Sequence, residues 1–379
     1  MNSLGYNEEA IAMMELSLCD GIGPVLGKHL LHHFGSATAI FQATKKDWDQ
    51  IAGLSQKQAF QLHISKQNQL KSAKKLAETH VQLGISVTTI NGDEYPYRLK
   101  ELANGPLLLY CLGSNNLNTK RIVGIVGTRK PSPQGIGLTK KLIEELSTFD
   151  ISIVSGLAYG IDIVAHQAAI DLGIPNWAVL AHGLEQVYPS PHKKQALKII
   201  DGLGGLISDF PAHTKMHPDY FPKRNRIVAG LCDALLVIES GVKGGSMITA
   251  SIAHGYSRDV FAVPGRPSDK PSEGCNFLIK SNMAQLVTCG KDIAEAMNWT
   301  PNIGTNPAEN TNHSQMSMFS KLNPIEQQVM HWLLNGVHNP DDMLSQNQWS
   351  ASHISMALLD LELKGLITNL PGNQYMSMI

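Results

Sequence analysis

Three segments of this chain carry residue types suited to gripping phosphate. In Phe221-Pro222-Lys223-Arg224-Asn225-Arg226, three cations surround one asparagine beside an aromatic ring. That set suits phosphates held by Lys and Arg while a nucleobase stacks on Phe221. In Lys243-Gly244-Gly245-Ser246-Met247-Ile248-Thr249, two glycines, a serine and a threonine open a helix. A helix N-terminus presents unpaired N–H groups to an anion. The turn Gly127-Thr128-Arg129-Lys130 sets a guanidinium beside a glycine, and guanidinium makes paired, charge-assisted hydrogen bonds to phosphate oxygens. Each segment has a plainer reading too, as solvated surface or an ordinary helix start. Their recurrence at successive strand ends favours a shared anion-binding role.

A fourth segment, Ser155-Gly156-Leu157-Ala158-Tyr159-Gly160-Ile161-Asp162, is followed by His166 one helical turn beyond Asp162. The two share a helix face at i, i+4, the spacing of an acid/base pair. Asp162 also stands where a carboxylate caps backbone N–H groups. With no nucleophile motif nearby, structural roles take the larger share. The chain has neither G-x-G-x-x-G nor G-x-x-x-x-G-K-[ST] at its Gly127 turn, which disfavours NAD or ATP, and no cofactor is expected.

These segments need a scaffold that brings strand ends together. The middle of the chain alternates short apolar runs with amphipathic stretches: RIVGIVG, a helix from about Gln134, ISIVSG, a helix from about Ile161, NWAVLAHG, GGLISDF, DALLVIES, a helix from about Ser246, and DVFAVPG. Apolar runs of this kind, several ending in glycine and followed by helix, mark a parallel sheet buried on both faces. The expectation is a doubly wound α/β domain, whose ligands sit outside the carboxyl ends of its strands.

Composition narrows the class. The 379 residues are 43% apolar and 17% charged with a net charge of −1, enough for two or three folded domains and against disorder. By region, residues 120–299 hold 19 Lys/Arg against 16 Asp/Glu, while residues 300–379 hold 2 against 6. A phosphate-binding surface is therefore expected in the middle segment. The five cysteines form no C-x-x-C pair, so neither a disulfide framework nor a zinc site is suggested, and a reduced cytoplasm is the expected compartment. The first twenty residues contain no Lys or Arg, against a secretory signal, and no apolar run approaches membrane-spanning length.

A composition shift near residue 85 and the Asn/Ser/Thr/Pro-rich stretch 301–320, whose only charged residue is Glu309, suggest boundaries. In the first region, Gly21-Ile22-Gly23-Pro24 opens a helix with apolar residues at helical spacing. It reads either as a phosphate-holding turn or as tight turns in a small helical bundle, and ordinary turn chemistry favours the second.

The segments SGLAYGIDIVAH, YPSPHKKQAL, GGLISDFP, FPKRNRIVAGL, GGSMITASIA and VFAVPG, in this order and spacing, resemble the DprA (Smf) family, as does the upstream YPYRLKELANGPLLLYCLG. The resemblance runs from about residue 95 to 295. It implies a Rossmann-like, mostly parallel sheet that binds single-stranded DNA without catalysis, forms a homodimer, protects incoming DNA and helps load the RecA recombinase during natural transformation. Carried over by motif, Arg129, Lys223, Arg224 and Arg226 become phosphate-contacting cations and Phe221 a base-stacking surface. Gly127, Thr128, Ser155, Gly156, Asn225, Gly244, Gly245, Ser246 and Thr249 line the same pocket. This chain departs from the family pattern at Tyr159, where an Arg is usual, at AHGLEQVYP, and at Asp209, usually Glu.

The implied domains are a helical, helix-hairpin-helix-like 1–84, a Rossmann-like 85–299, a linker 300–320, and a winged-helix-like 321–379. The last reads as three helices and a short hairpin, with a buried stripe of Ile354, Ala357, Leu358, Leu361 and Leu363. Its only basic residues are Lys321 and Lys364, too few for strong phosphate attraction, so a protein-interaction or regulatory role is expected. The competing function is a nucleotide-processing enzyme of the lysine-decarboxylase-like phosphoribohydrolase type, with Glu239 before Gly244 as its carboxylate.

Overall fold

The computed structural model describes residues 6–301, 323–334, 339–344, 349–364, 366–370 and 374–377. The chain divides into two compact units, Met1–Asn302 and Ile303–Ile379. Most of the expected linker, residues 302–320, lies outside the described residues.

The first unit starts with six helices: α1 (Glu8–Leu18), α2 (Pro24–Phe34), α3 (Ala37–Gln42), α4 (Lys45–Asp49), α5 (Gln56–Gln67) and α6 (Lys71–Gln82). Their starts are written in side chains. Asn7 accepts from the Ala10 N–H at 2.8 Å, and Ser55 with Gln58 forms a reciprocal capping box on α5. The Gly21 turn has φ of +80°, and its carbonyl accepts from Gln58 Nε2 at 2.6 Å, which gives the glycine an ordinary turn function.

Among the described residues, nine strands form one sheet in the order β1-β2-β6-β5-β4-β3-β7-β8-β9. They are β1 (Ser86–Thr89), β2 (Leu108–Gly113), β3 (Ile122–Val126), β4 (Ser152–Ser155), β5 (Asn176–Val179), β6 (Gly205–Ser208), β7 (Ala234–Val237), β8 (Asp259–Ala262) and β9 (Gln285–Leu286). Pairings from β6 across to β9 are parallel, whereas β1–β2 and β2–β6 are antiparallel. The helices are α7 (Tyr97–Lys100), α8 (Pro133–Leu146), α9 (Ile161–Asp171), α10 (Lys193–Asp201), α11 (Tyr220–Leu231), α12 (Gly245–Gly255), α13 (Glu273–Lys280) and α14 (Gly290–Ala296). The doubly wound, mostly parallel sheet expected from the apolar runs is therefore present.

Every residue of β3, β4, β5 and β7 is buried, which explains why these strands read as continuous apolar runs rather than alternating ones. One core joins the N-terminal helices to the sheet through Met13, Leu30, Trp48, Leu109, Leu206 and Val237. A second core lies under α8 and α9 around Ile125, Ile143, Ile153, Ala165 and Leu236. Arg98, 1% exposed, locks the segment before β2 onto the sheet by a forked pair to Asp233 (Nε–Oδ1 and Nη2–Oδ2, both 2.7 Å).

Strand β3 has β4 on one side and β7 on the other, and chain order reverses between β3 and β7. This is the switch point at which doubly wound sheets open a crevice.

The second unit holds helices Pro324–Leu334, Pro340–Leu344 and Ala351–Leu363, then an antiparallel hairpin of β10 (Ile367–Leu370) and β11 (Gln374–Ser377). Its core contains Val329, Met330, Leu333, Ile354, Ala357, Leu358 and Leu361. The Leu363 side chain and Lys321 lie outside the described residues. Lys364 donates to the buried Glu326 carboxylate at 2.6 Å, so that cation is already engaged.

Candidate nucleic-acid interface

Three turns and one helix meet at the switch point around a cavity of about 390 Å³. The β3–α8 turn supplies Gly127, Thr128 and Arg129. The β4–α9 turn supplies Gly156, Ala158 and Asp162, α11 supplies Phe221, Arg224 and Asn225, and the β7–α12 turn supplies Ser240, Gly241, Gly244, Gly245, Ser246 and Thr249.

Close backbone approach fixes the turns. The Ile161 N–H donates to the Thr128 carbonyl at 3.1 Å, drawing the β4–α9 turn against the β3–α8 turn. Gly160 sits between them at φ of +84°, and a Cβ there would lie 2.1 Å from the Thr128 oxygen, so no side chain fits. A Cβ on Gly156 would meet the Arg224 guanidinium at 2.3 Å. Gly156 and Gly160 are therefore demanded by packing of neighbouring groups.

Arg224 is only 5% exposed. It donates through Nη1 to the carbonyls of Gly156 (2.5 Å) and Val179, and through Nε to Asn225 Oδ1 (3.2 Å). Asp162 accepts from the N–H groups of Gly156 and Ala158 at 3.2 and 3.4 Å. Burial pushes its carboxyl above the ordinary value, opposed by the charge of Arg224. Burial likewise lowers the Arg224 guanidinium, which Asp162 counters and the like charge of Arg129 reinforces. A buried cation answered by one buried carboxylate makes this wall, and Arg129 adds a second positive charge in front of it.

Arg129 is exposed, and among the described residues no hydrogen bond or ion pair engages its guanidinium, which lies 5.7 Å above the Phe221 ring. The start of α12 lines the same cavity, with Gly244 as an N-cap that offers no side-chain bond; Gly244 and Met247 donate their N–H groups to the Gly241 and Gly244 carbonyls, which leaves those of Gly245 and Ser246 for a ligand. The hydroxyls there are spent internally: Ser246 Oγ donates to Ser240 Oγ at 2.7 Å, and Thr249 Oγ1 to the Gly245 carbonyl at 3.4 Å. The cavity thus offers a free guanidinium, free helix-end N–H groups and an aromatic face, the requirements of a phosphate beside a base.

Eleven of the fourteen residues expected at the site line this cavity. Ser155 lies beneath it, fully buried, with Oγ donating to the Ile125 carbonyl at 2.6 Å. Lys223 and Arg226 do not line this cavity. They face a separate depression with Asn104, Pro222 and Tyr256, because the FPKRNR block is helical and alternate residues leave the helix on different sides. There Arg226 is held by Asp209 and the Asn104 carbonyl, and the exposed Lys223 lies 5.5 Å over Tyr220.

The Asp162 and His166 acid/base arrangement is not built. His166 Nδ1 pairs with Asn176 Oδ1 at 3.0 Å, and burial holds the imidazole down to about 4. Glu239 is not in the cavity either: Ser132 donates its N–H at 2.9 Å and its hydroxyl at 2.5 Å to the two carboxylate oxygens, on the α8 side. Among the described residues there is no cluster of metal-ligating side chains and no helix long and apolar enough to cross a membrane.

A family model for DNA recombination-mediator protein A matches residues 86–298, and one for the DprA winged helix domain matches residues 320–373. The chain is 30% identical over 397 aligned residues to Protein Smf of Synechocystis, covering 97% of this chain and 99% of that protein. It is 39% identical over 208 residues to DNA processing protein DprA of Streptococcus pneumoniae, covering 54% of this chain and 72% of the relative. The X-ray structure of the Streptococcus pneumoniae protein superposes with a TM-score of 0.66 at 31% identity, over 76% of this chain and 98% of that one. A structure of DNA processing protein A from Helicobacter pylori, concerned with its single-stranded DNA binding mode, superposes with a TM-score of 0.51 at 28% identity, over 57% and 98% of the two chains.

Proposed function

The chain belongs to the DNA recombination-mediator protein A family, and on that premise we propose that it binds single-stranded DNA in the cavity at the β3/β7 switch point. In this reading the strand's phosphates lie against Arg129 and the start of α12, with one base on Phe221. Arg224, Asn225 and the glycines of Gly127, Gly156, Gly244 and Gly245 shape the wall. The protein acts without catalysis, as a cytoplasmic homodimer that protects the incoming strand and helps load RecA during natural transformation. Residues 85–299 form the binding domain, 1–84 a helical domain, and 321–379 a winged helix with a protein-interaction or regulatory role.

The observation that carries this reading is the free Arg129 guanidinium over the Phe221 ring, in a cavity that the uncapped start of α12 also lines. A nucleotide-cleaving enzyme has less support, since both oxygens of Glu239 are engaged by Ser132 away from that cavity.

The test is a titration of the full chain with single-stranded and duplex oligonucleotides at two salt concentrations. Single-strand affinity should exceed duplex affinity, and log K should fall with log salt by about 0.7 per phosphate contact. Equal affinity for both, or no salt dependence, overturns the reading.

A further inference from the structure

A second crevice opens one strand further along the sheet, at the carboxyl ends of β7 and β8, where wound sheets hold ligands. Its volume of about 600 Å³ exceeds that of the switch-point cavity, and the two share no lining residue. Leu138, Val263 and Pro264 give it apolar walls, and the β8–α13 loop forms its rim. That loop is clipped in place: Asn276 Nδ2 donates to the Gly265 carbonyl at 3.0 Å, and Asn276 Oδ1 accepts from the Gly265 N–H at 3.1 Å. A cavity of this size with fixed walls lies in the range that small molecules fill.

Glu239 supplies an independent observation. It lines the crevice at only 8% exposure, and among the described residues no ion pair answers its carboxylate. Ser132 bonds it through the N–H to one oxygen at 2.9 Å and through the hydroxyl to the other at 2.5 Å. Two ionised oxygens offer about four acceptor positions, so each keeps one lone pair open. Buried charges are ordinarily paired or fully hydrogen-bonded, and the dipole of α8 steadies this one without filling those positions. The group is also held still. Its main-chain carbonyl accepts from the Thr128 N–H at 2.6 Å, and a Cβ on Gly135 would lie 2.5 Å from its Cδ, so α8 packs directly on it. Two adjacent hydroxyls, one donated to each oxygen, match this carboxylate, and strand-end carboxylates in wound sheets hold ribose hydroxyls in this manner. On the rim, Arg266 is exposed, and among the described residues no hydrogen bond or ion pair engages its guanidinium, which leaves it for a phosphate. Asp269 also reaches the rim and is exposed to water.

We propose that this crevice binds a ribonucleoside 5′-phosphate, with the sugar hydroxyls on Glu239, the base against the apolar walls and the phosphate on Arg266. The site is separate from the single-strand cavity and does not depend on that reading. A free ribonucleotide and the 3′-terminal residue of an RNA strand both present this chemistry. A DNA end, with one hydroxyl, meets only one of the two carboxylate oxygens. The ligand is held, with no bond made or broken.

The test is isothermal titration calorimetry of the full chain with AMP, 2′,3′-dideoxy-AMP and adenosine. AMP should bind, and its dideoxy form should bind at least about tenfold more weakly, because two hydrogen bonds to a charged acceptor are gone. Adenosine on the wild type, and AMP on Arg266→Ala, should each bind about threefold more weakly than AMP on the wild type. Glu239→Gln should lose most of the preference for AMP over its dideoxy form, and Arg129→Ala should bind AMP as the wild type does. Two short RNAs, one ending in a free diol and one in a dideoxynucleotide, separate the sources. With AMP bound, equal affinity for the two strands assigns the free nucleotide, whereas a preference for the diol end that Glu239→Gln removes assigns the strand end. AMP and dideoxy-AMP binding alike, or no AMP binding together with no preference for the diol end, overturn the proposal. So does AMP binding that Arg129→Ala removes and Arg266→Ala spares, since the nucleotide then sits in the switch-point cavity. The single-strand reading, tested by DNA titration, stands or falls apart from each of these outcomes.

Discussion

The two flanks of α11 carry the same charges and use them differently. On the cavity flank, Arg224 is buried behind Gly156, its hydrogen bonds directed inward to two main-chain carbonyls and Asn225. On the other flank, Arg226 is paired with Asp209 and the Asn104 carbonyl. Both arginines are structural posts. An open cation stands on each side, Arg129 over Phe221 and Lys223 over Tyr220, each resting on an aromatic face. Charge counted along a chain therefore overstates the charge that a ligand meets. A guanidinium with five donors is well suited to tie turns together, and here two of them do that while neighbours face solvent.

The contrast breaks most sharply at Arg224. Replacing it with alanine strips the Gly156 and Val179 carbonyls of their donor and leaves Asp162 buried without its counter-charge. Leaving a buried carbonyl without its donor costs about 1–3 kcal/mol for each group, read as a lower urea midpoint at unchanged m-value. Arg224→Lys should recover only part of the loss, because an ammonium cannot span both carbonyls and Asn225. A wild-type midpoint for Arg224→Ala would show that this arginine is not a wall.

Much of the scaffold was readable because burial on both faces leaves a plain signature. The runs IVGIV, SIVS, NWAV, GLIS, ALLV and DVFA all became strands, and the helices after Gly160 and Gly244 begin where expected. The helical state of FPKRNR was not read. Its signal was present in Ile227, Val228 and Leu231, buried at helical spacing after the cations. The pairing of Arg226 with Asp209 and of Arg98 with Asp233 could not be read, since partners 17 and 135 residues apart meet only through the fold.

The Asp209 flank sharpens the contrast with a smaller effect. Both side chains of the Arg226–Asp209 pair are mostly buried, at 15% and 13% exposure. Burial raises the Asp209 carboxyl, against the pull of Arg226. Asp209→Asn should cost about 1–3 kcal/mol, between the values for exposed and fully buried pairs. It should also release Arg226 to the depression it shares with Lys223, steepening the salt dependence of single-strand binding by about 0.7 for one added contact. Lost stability with an unchanged slope would place that flank outside the DNA track.

The smallest effect on stability should accompany Arg129, the cation proposed to hold a phosphate. Arg129 is exposed on a turn whose geometry is set by Gly127, Gly160 and the Thr128 carbonyl, not by its own side chain. Arg129→Ala should therefore shift stability by no more than about 0.5 kcal/mol. Its salt slope should drop by about 0.7, because one phosphate contact is gone, with Phe221 still present to stack a base. Arg224→Ala and Arg129→Ala thus separate folding from binding within a single cavity. Equal effects of the two on the urea midpoint, or an Arg129→Ala protein with the wild-type salt slope, would mean that the open cation and the buried one do not divide the work in this way.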